Sequence, residues 1–472
     1  MSRHAANPGW LNRAYVNVFD RFLNRGSGQS LRTRLSDFCR LERLPLEENE
    51  RLQWIALSRL LHHAYETTPF YRHRFDKLGA HPSDIRNEND LLNFPPLTRE
   101  DIRNNIEDLW SRNYQKDSLL PAATGGTTDT PVPLLRSSDC LEEKRAVQLH
   151  FDTWAGMWPG DKVFMLWGAA QDYNPNPSLR WKLYDRYVAR RVWAPTSRFN
   201  AEILESHRRL MNDFRPKIVY AYPTPLTLFC EYLASCGKPF HKPVAAICTA
   251  EPLLEPQRKI IESVLGCAAF EHYGTRDFGM VGAECEAHQG MHFHPAAVKV
   301  ELLPVKGAED EPLYEMLVTD LLNYGMPLIR YRINDCAVPA PRPCDCGRGF
   351  PLVRKIVGRT VDNFRLADGT VVPGVSLTNR VIQVCPGLSK LQIIQRSLDD
   401  FHVRYVRGPG FSQDDLGQLS QKLYKFFPLP LKWTFEEVTE IAREKSGKTR
   451  FCISYVSDAA AASSAAASKV ST

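Results

Sequence analysis

From Ala122 onward, short β-rich runs alternate with stretches of helical length. KVFMLWG, KLYDRYVARRVW, KIVYAYP, PLTLFCEYLASCG, AAICTAEP, PQRKIIESVLG and AAFEHYG follow one another in order. Parallel strands need a crossover between them, and a helix is the usual one, so this alternation predicts right-handed βαβ units and a mainly parallel sheet. The flanking segments differ in period. RLQWIALSRLLHHAYETT, within about Arg51 to Asn105, repeats apolar residues at three and four and predicts a helical layer that Pro69 interrupts. Between Met291 and Val338, VKVELL, YEMLVTDLL and PLIRYR alternate apolar with polar and have no helix between them, as a small antiparallel or barrel-like sheet does. From Gly358-Arg359 the strands SKLQIIQRS, FHVRYVRG and LKWTFEEV surround the helix DDLGQLSQKLYKFF in an α+β pattern.

Four spans follow: residues 1–120 as a helical layer, 121–357 as the core of the same large domain, 358–457 as a smaller α+β domain, and 458–472 as an Ala/Ser-rich disordered tail. With 472 residues, 43% apolar and 24% charged, global disorder and fibrous repeats are excluded. The net charge of +6 is too dilute for a nucleic-acid footprint. No window reaches the ~18 uninterrupted apolar residues of a membrane span, and the first residues lack a signal-peptide core, so a cytoplasmic protein is expected. Twelve scattered cysteines in a reducing compartment read as buried small hydrophobes, except where they cluster with histidine.

The chemistry-bearing segments begin with Ala123-Thr124-Gly125-Gly126-Thr127-Thr128-Asp129-Thr130-Pro131. Paired glycines and several hydroxyls suit a phosphate chain, and equally a hairpin turn. His272-Tyr273-Gly274-Thr275-Arg276-Asp277 comes next, followed by Arg330-Tyr331-Arg332-Ile333-Asn334-Asp335. Gly358-Arg359-Thr360-Val361-Asp362 and Lys445-Ser446-Gly447-Lys448 complete the order. No Gly-x-Ser-x-Gly elbow, His-Glu-x-x-His or Gly-x-Gly-x-x-Gly competes with them.

This ordered set resembles the adenylate-forming superfamily of acyl-CoA synthetases and adenylation domains. TTPFYRHRFDKLG, LLNFPPLTREDIR, ECEAHQGMH and NYGMPLIRYRINDCAV are similar to the branch of phenylacetate-CoA ligases and capsule-biosynthesis proteins, over about residues 50 to 455. The resemblance implies an α/β adenylate-forming fold whose large N-terminal domain binds ATP and a carboxylic acid, and whose small C-terminal domain, 358–457, swings about a hinge at Asp362. It implies activation of an acid as acyl-AMP, then transfer to coenzyme A or to a carrier phosphopantetheine. An amine or hydroxyl acceptor and a degenerate nucleotide-binding scaffold are the alternatives. An acyl-carrier protein and a homodimer are compatible partners; nucleic acid is not expected.

By the same resemblance Thr124, Gly125, Gly126, Thr127 and Thr128 cradle the β,γ-phosphates, and Asp277 stands where the family has a glutamate for Mg2+. Gly274 and Thr275 belong to that motif. Asp335 takes the ribose hydroxyls and Arg359 the ribose and phosphates. Ala250, Glu251, Pro252 and the ring of Tyr273 meet adenine, and Trp167 and Tyr222 line a pocket suited to an aryl or apolar acid. Lys448 bridges carboxylate and α-phosphate as charge develops, with Lys445 as its competitor. Without the resemblance, Asp277 reads as a helix N-cap, Asp335 with Arg359 as an ion pair, and Lys448 as a solvated lysine.

A second constellation is metal-binding in kind. Cys344-Asp345-Cys346 lies in a Pro/Gly-rich loop, and Cys285, His288, His292 and His294 lie upstream. Thiolates with imidazole are zinc chemistry, and a closed four-ligand site is structural. The family spacing Glu-Cys-x(6)-His selects His292 over His288, giving Cys285, His292, Cys344 and Cys346 as ligands to Zn2+.

Overall fold

The computed structural model describes residues 12, 30–123, 132–168, 178–196, 199–304, 314–357, 364–368, 371–372, 387–408, 410–427, 430–441 and 451–456. The chain divides into two units that cut across the linear order. The first is Met1–Thr124, Val132–Gly160 and Phe270–Gly358; the second is Gly125–Pro131, Asp161–Ala269 and Arg359–Thr472.

In the first unit β1 (Leu120–Ala123) and β2 (Pro133–Arg136) pair antiparallel on either side of the Gly/Thr segment. In the second, β3 (Val163–Trp167), β4 (Arg191–Pro195), β5 (Ile218–Ala221) and β6 (Ala245–Thr249) run parallel in the order β6-β5-β3-β4. Every residue of β5 and β6 is buried, as a sheet covered on both faces requires. The helices Ala201–Phe214, Pro223–Ser235 and Glu255–Leu265 follow β4, β5 and β6 in turn. Asn200 caps the first by accepting from the Ile203 amide, and Gly266 ends the last in the left-handed region. Phe164, Leu166, Val219, Phe229 and Ile261 are among the residues that fill this core.

One sequence expectation is corrected here. KLYDRYVARRVW is not one helix: helical turns run from Leu179 to Val188, and Arg191 begins β4. Arg190 has φ 52°, which no helix continues through, and its carbonyl accepts from the Val163 amide at 2.9 Å. Strand pairing with β3 overrides the helical period of the stretch.

The first unit then forms β7 (Ala268–Thr275), β8 (Gly279–Glu284), β9 (Met291–Phe293), β10 (Val298–Pro304), β11 (Tyr314–Asp320), β12 (Tyr331–Pro339) and β13 (Leu352–Val357). They are antiparallel throughout, in the order β10-β11-β12-β13-β9-β8-β7. The N-terminal helices pack into the core of this unit through Leu57, Leu60, Leu61, Ala64, Tyr71 and Phe75. Pro69 does more than interrupt: Thr68 takes an extended backbone and Pro69 opens the next helix, where its missing N–H is harmless. The buried Arg330 pairs with Glu301 at 2.9 Å and donates to the Leu92 and Phe94 carbonyls, fixing the chain after Glu88–Leu92 to the sheet.

The second unit also holds β14 (Phe364–Arg365) with β15 (Val371–Val372), and a sheet of β16 (Leu388–Gln395), β17 (Asp400–Arg407), β18 (Lys432–Glu437) and β19 (Cys452–Ser454). Its order is β18-β17-β16-β19, with helix Gln413–Phe426 contributing Leu419 and Leu423 to the core beside Phe401 and Phe427. The tail 458–472 lies outside the described residues.

Two measurements check this packing. A Cβ on Gly349 would lie 1.9 Å from the Leu44 carbonyl oxygen, so Gly349→Ala must displace backbone. We expect a loss of about 1–3 kcal/mol in chemical denaturation, the usual range for overpacking. His207, on Ala201–Phe214, is 5% exposed; burial holds its imidazole below the ordinary range despite its contact with the Pro195 carbonyl at 3.1 Å. The fold therefore prefers neutral His207. Its contribution is complete above the unfolded value of about 6.5 and is lost as the pH falls toward the lower native value. The urea midpoint of wild type should converge on that of His207→Gln between pH 7.5 and 5.5; divergence would contradict the assignment.

Candidate functional site

The first unit brings Tyr273, near the end of β7, to Asp335, in the middle of β12. The Tyr273 hydroxyl donates to the Asp335 carboxylate at 2.8 Å. β7 and β12 are separated by three strands in the sheet order, so the sheet curls to bring them together. Tyr273 is half-buried and packs at the margin of the core. Behind it, buried His272 lies 3.6 Å from the carboxylate of Asp152. Burial holds His272 down to about 3 and pushes Asp152 well above its usual value, so the surroundings favour the uncharged form of each.

After Tyr273 the chain turns through Thr275-Arg276-Asp277-Phe278 into β8. Gly279 adopts φ 74°, and the Phe278 amide donates to Thr275 Oγ1 at 3.1 Å. A Cβ on Gly274 would press within 3.1 Å of the Gly279 oxygen, so the turn is tight. No helix follows, which removes the N-cap reading of Asp277. Arg136 Nη2 donates to the Arg276 carbonyl, and Lys144 Nζ donates to the Asp277 carbonyl at 3.3 Å. Lys144 also pairs with buried Asp320 at 2.6 Å. Both cations are site-shaping residues that sequence reasoning missed. They lie more than 130 residues from the turn, and no local motif marks them.

In the second unit the segment after β6 carries Ala250, Glu251 and Pro252. Ala250 has φ 70°, an uncommon conformation for a residue with a Cβ and one that concentrates at ligand-holding segments. Burial pushes the Glu251 carboxyl up, opposed by the Thr224 amide, which donates to Glu251 Oε2 at 3.1 Å and ties this segment to the start of Pro223–Ser235. At the ends of β3 and β5, the rings of Trp167 and Tyr222 stand 4.7 Å apart and Tyr220 stands 6.1 Å from Trp167.

The cysteines and histidines of the second constellation meet in the first unit. The ligand atoms of Cys285, His292, Cys344 and Cys346 all lie within 4.8 Å of one another. Cys285 Sγ is 3.5 Å from Cys344 Sγ, and Cys346 Sγ is 3.5 Å from His292 Nε2. Zn–S bonds of about 2.3 Å and Zn–N bonds of about 2.0 Å imply tetrahedral S···S and S···N edges of about 3.8 and about 3.5 Å, so the donor set fits zinc. The Phe350 carbonyl, 3.2 Å from His292 Nδ1, accepts its proton and leaves Nε2 for a metal. Without metal, burial opposes charge on His292, but hydrogen bonds with Cys344 and Cys346 outweigh it and hold the ring up to about 9. His288 is elsewhere, its Nδ1 3.2 Å from a Glu284 carboxylate oxygen.

Arg348 links this cluster outward. Its backbone amide donates to Cys346 Sγ at 3.4 Å, and its guanidinium reaches Glu286 at 2.7 Å and Glu42 at 3.3 Å. Sequence reasoning singled out neither Arg348 nor Glu42. Thr124, Gly125, Gly126, Thr127, Thr128, Arg359, Asp362, Lys445 and Lys448 lie outside the described residues.

A family model described as the CapK C-terminal domain matches residues 365–455. Phenylacetate-coenzyme A ligase of Pseudomonas putida is 29% identical over 338 residues, spanning 69% of this chain and 72% of that ligase. Protein CapK of Staphylococcus aureus is 23% identical over 386 residues, spanning 81% of this chain and 83% of CapK. The chain is thus similar to phenylacetate-CoA ligases and to CapK. Its fold is that of adenylate-forming CoA ligases: a solved 2-hydroxyisobutyryl-CoA ligase superposes with a TM-score of 0.58 at 16% identity, covering 92% of this chain and 94% of that one. Among the described residues no helix is long and apolar enough to cross a membrane.

The metal cluster yields a direct test. Protein purified without chelator should carry one zinc per chain, and Cys344→Ser should lose the metal and melt at a lower temperature while keeping a near-normal KM for ATP. Metal analysis finding no zinc, or ready alkylation of Cys285 and Cys344 in the native protein, would refute the site.

Proposed function

We propose that this adenylate-forming protein activates a carboxylic acid with ATP as acyl-AMP, releasing pyrophosphate, and then transfers the acyl group to the thiol of coenzyme A or of a carrier phosphopantetheine. The observation that carries the reading is the 2.8 Å bond from the Tyr273 hydroxyl to the Asp335 carboxylate. It joins the residue assigned to the adenine face with the residue assigned to the ribose hydroxyls, and a carboxylate fixed by one donor is a preorganised acceptor for another. The relatedness to phenylacetate-CoA ligase supports the acid-thiol ligase reading.

Attack of a carboxylate on the α-phosphorus brings two anions together, so the site must neutralise charge while holding an in-line approach. The Thr124 to Thr128 segment is assigned to the β,γ-phosphates and Arg359 to the ribose and phosphates. Ala250, Glu251 and Pro252 take the adenine edge. Asp277, one methylene shorter than the family glutamate, would hold Mg2+ through a water, with its turn fixed by Arg136 and Lys144. Lys448 supplies the mobile charge, carried by a small domain of residues 358–457 that turns about Asp362. The aromatic pair Trp167 and Tyr222 suits an aryl or apolar acid.

A second reading puts an amine or hydroxyl acceptor in place of the thiol. ATP–pyrophosphate exchange across a panel of acids identifies the acid. Thiol and amine trapping of the acyl-AMP then separates the two readings. Lys448→Ala should slow adenylation by about a hundredfold to a thousandfold while acyl transfer from supplied acyl-AMP survives. Equal loss in both half-reactions, or loss in neither, would reassign the role, with Lys445 tested next.

A further inference from the structure

The segment Leu179–Val188, α-helical to Leu183 and a π turn from Tyr184, is held to the protein through polar contacts while most of its apolar side chains stay exposed. A surface helix ordinarily hides its apolar stripe against the core. Here Asp185 accepts from Arg191 Nε at 3.0 Å and from Trp193 Nε1 at 3.0 Å, both on β4, and the Arg186 guanidinium lies 5.5 Å from the Phe214 ring. The apolar side chains face outward: Leu179 is 71% exposed, Tyr187 68% and Trp181 57%, with Leu183 and Val188 exposed as well. Arg180 and Lys182 are exposed among them, so the segment presents an apolar arc with cations set within it.

Charge indicates what this arc meets. Ser178–Arg191 contains Arg180, Lys182, Arg186, Arg190 and Arg191 against one acid, and that acid is already engaged by Arg191. A second copy of the segment would bring like charges together. An anionic bilayer complements both features: leucine and valine enter the acyl boundary, Trp and Tyr rings sit at headgroup level, and Arg and Lys extend to the phosphates.

We propose that Leu179–Val188 is an interfacial anchor that docks this protein on an anionic phospholipid surface without crossing it. Each cation near such a surface contributes ~1 kcal/mol, or about fivefold in partitioning. The full-length protein should therefore cosediment with phosphatidylcholine vesicles containing phosphatidylglycerol at least about tenfold better than with phosphatidylcholine alone, and added salt should weaken the binding. Combined Leu179→Ser, Trp181→Ser and Tyr187→Ser should abolish cosedimentation with unchanged melting temperature and unchanged ATP–pyrophosphate exchange. Arg180→Gln with Lys182→Gln should reduce it on anionic vesicles alone. Binding to neither vesicle, equal binding by wild type and the triple variant, or a soluble dimer that the triple variant dissociates with no vesicle binding would each overturn the proposal.

Discussion

The carboxylate of Glu42 is where the separated segments of the first unit are tied together. It follows the helix Leu31–Leu41, accepts from Trp154 Nε1 at 2.8 Å, and meets Arg348 at 3.3 Å and His150 Nε2 at 3.2 Å. Glu42 thus ties the N-terminal helices to the helix Ser138–Trp154 and to the loop after β12. Burial opposes the charge on Glu42, and the contact with His150, the Arg348 guanidinium and the bond with Trp154 outweigh it and hold the carboxyl below its ordinary range. A buried ion pair of this kind adds little net stability against an apolar substitute. Removing one partner is severe, because the other charge is left without compensation. Its contribution is registry: it fixes which turn of the N-terminal layer meets the loop that carries Cys344 and Cys346.

That junction explains why a metal suits the neighbouring loop. Pro341, Pro343, Gly347 and Gly349 supply little apolar surface, and the loop gains its position from polar contacts instead. Asn49 donates to the Gly349 carbonyl at 2.7 Å, and the Gly349 amide donates to the Glu42 carbonyl at 3.1 Å. Those bonds hold one end of the loop; the four-donor cluster holds the other against β9 through His292. Zinc needs neutral imidazole and thiolates, so binding would release the proton that Cys344 and Cys346 help His292 to retain, and the crosslink would strengthen as pH rises.

Much of the architecture is legible in the sequence because period and burial coincide. The fully buried β5 and β6 read as continuous apolar runs; the alternation of VKVELL in β10 marks a strand that is half-buried along most of its length, whereas β11 is buried continuously from Met316 to Asp320. The cluster of Cys285, His292, Cys344 and Cys346 was legible from ligand chemistry together with family spacing. What escaped was set by distant contacts: β4 inside a helical-looking stretch, the three-residue strand β19, and the clasp of Arg136 and Lys144 on the Asp277 turn. The tie from Tyr273 to Asp335 escaped for the same reason, since its partners are 62 residues apart and meet only when the sheet curls. Periodicity registers which face a residue takes within its own element; it carries nothing about which carbonyl a lysine 133 residues away will reach.

The same balance of local and distant terms sets the attitude of Leu179–Val188. The helices Leu46–Thr67 and Pro223–Ser235 bury Leu57, Leu60 and Leu61, and Leu226, Phe229 and Leu233, because burial of each such side chain is worth roughly 1.5–3 kcal/mol. On Leu179–Val188 the opposing anchors are two hydrogen bonds to Asp185, each worth about 1 kcal/mol or somewhat more for a charged partner. Had an apolar seat existed beneath the segment, exposed Leu179, Trp181, Leu183 and Tyr187 would outweigh those bonds and the helix would roll over. Directly beneath it, β4 presents Arg191 and Trp193 Nε1 as donors instead, so the protein offers that side of the helix a polar seat. The strand and helix agree with each other, and both leave the apolar arc to an environment other than water.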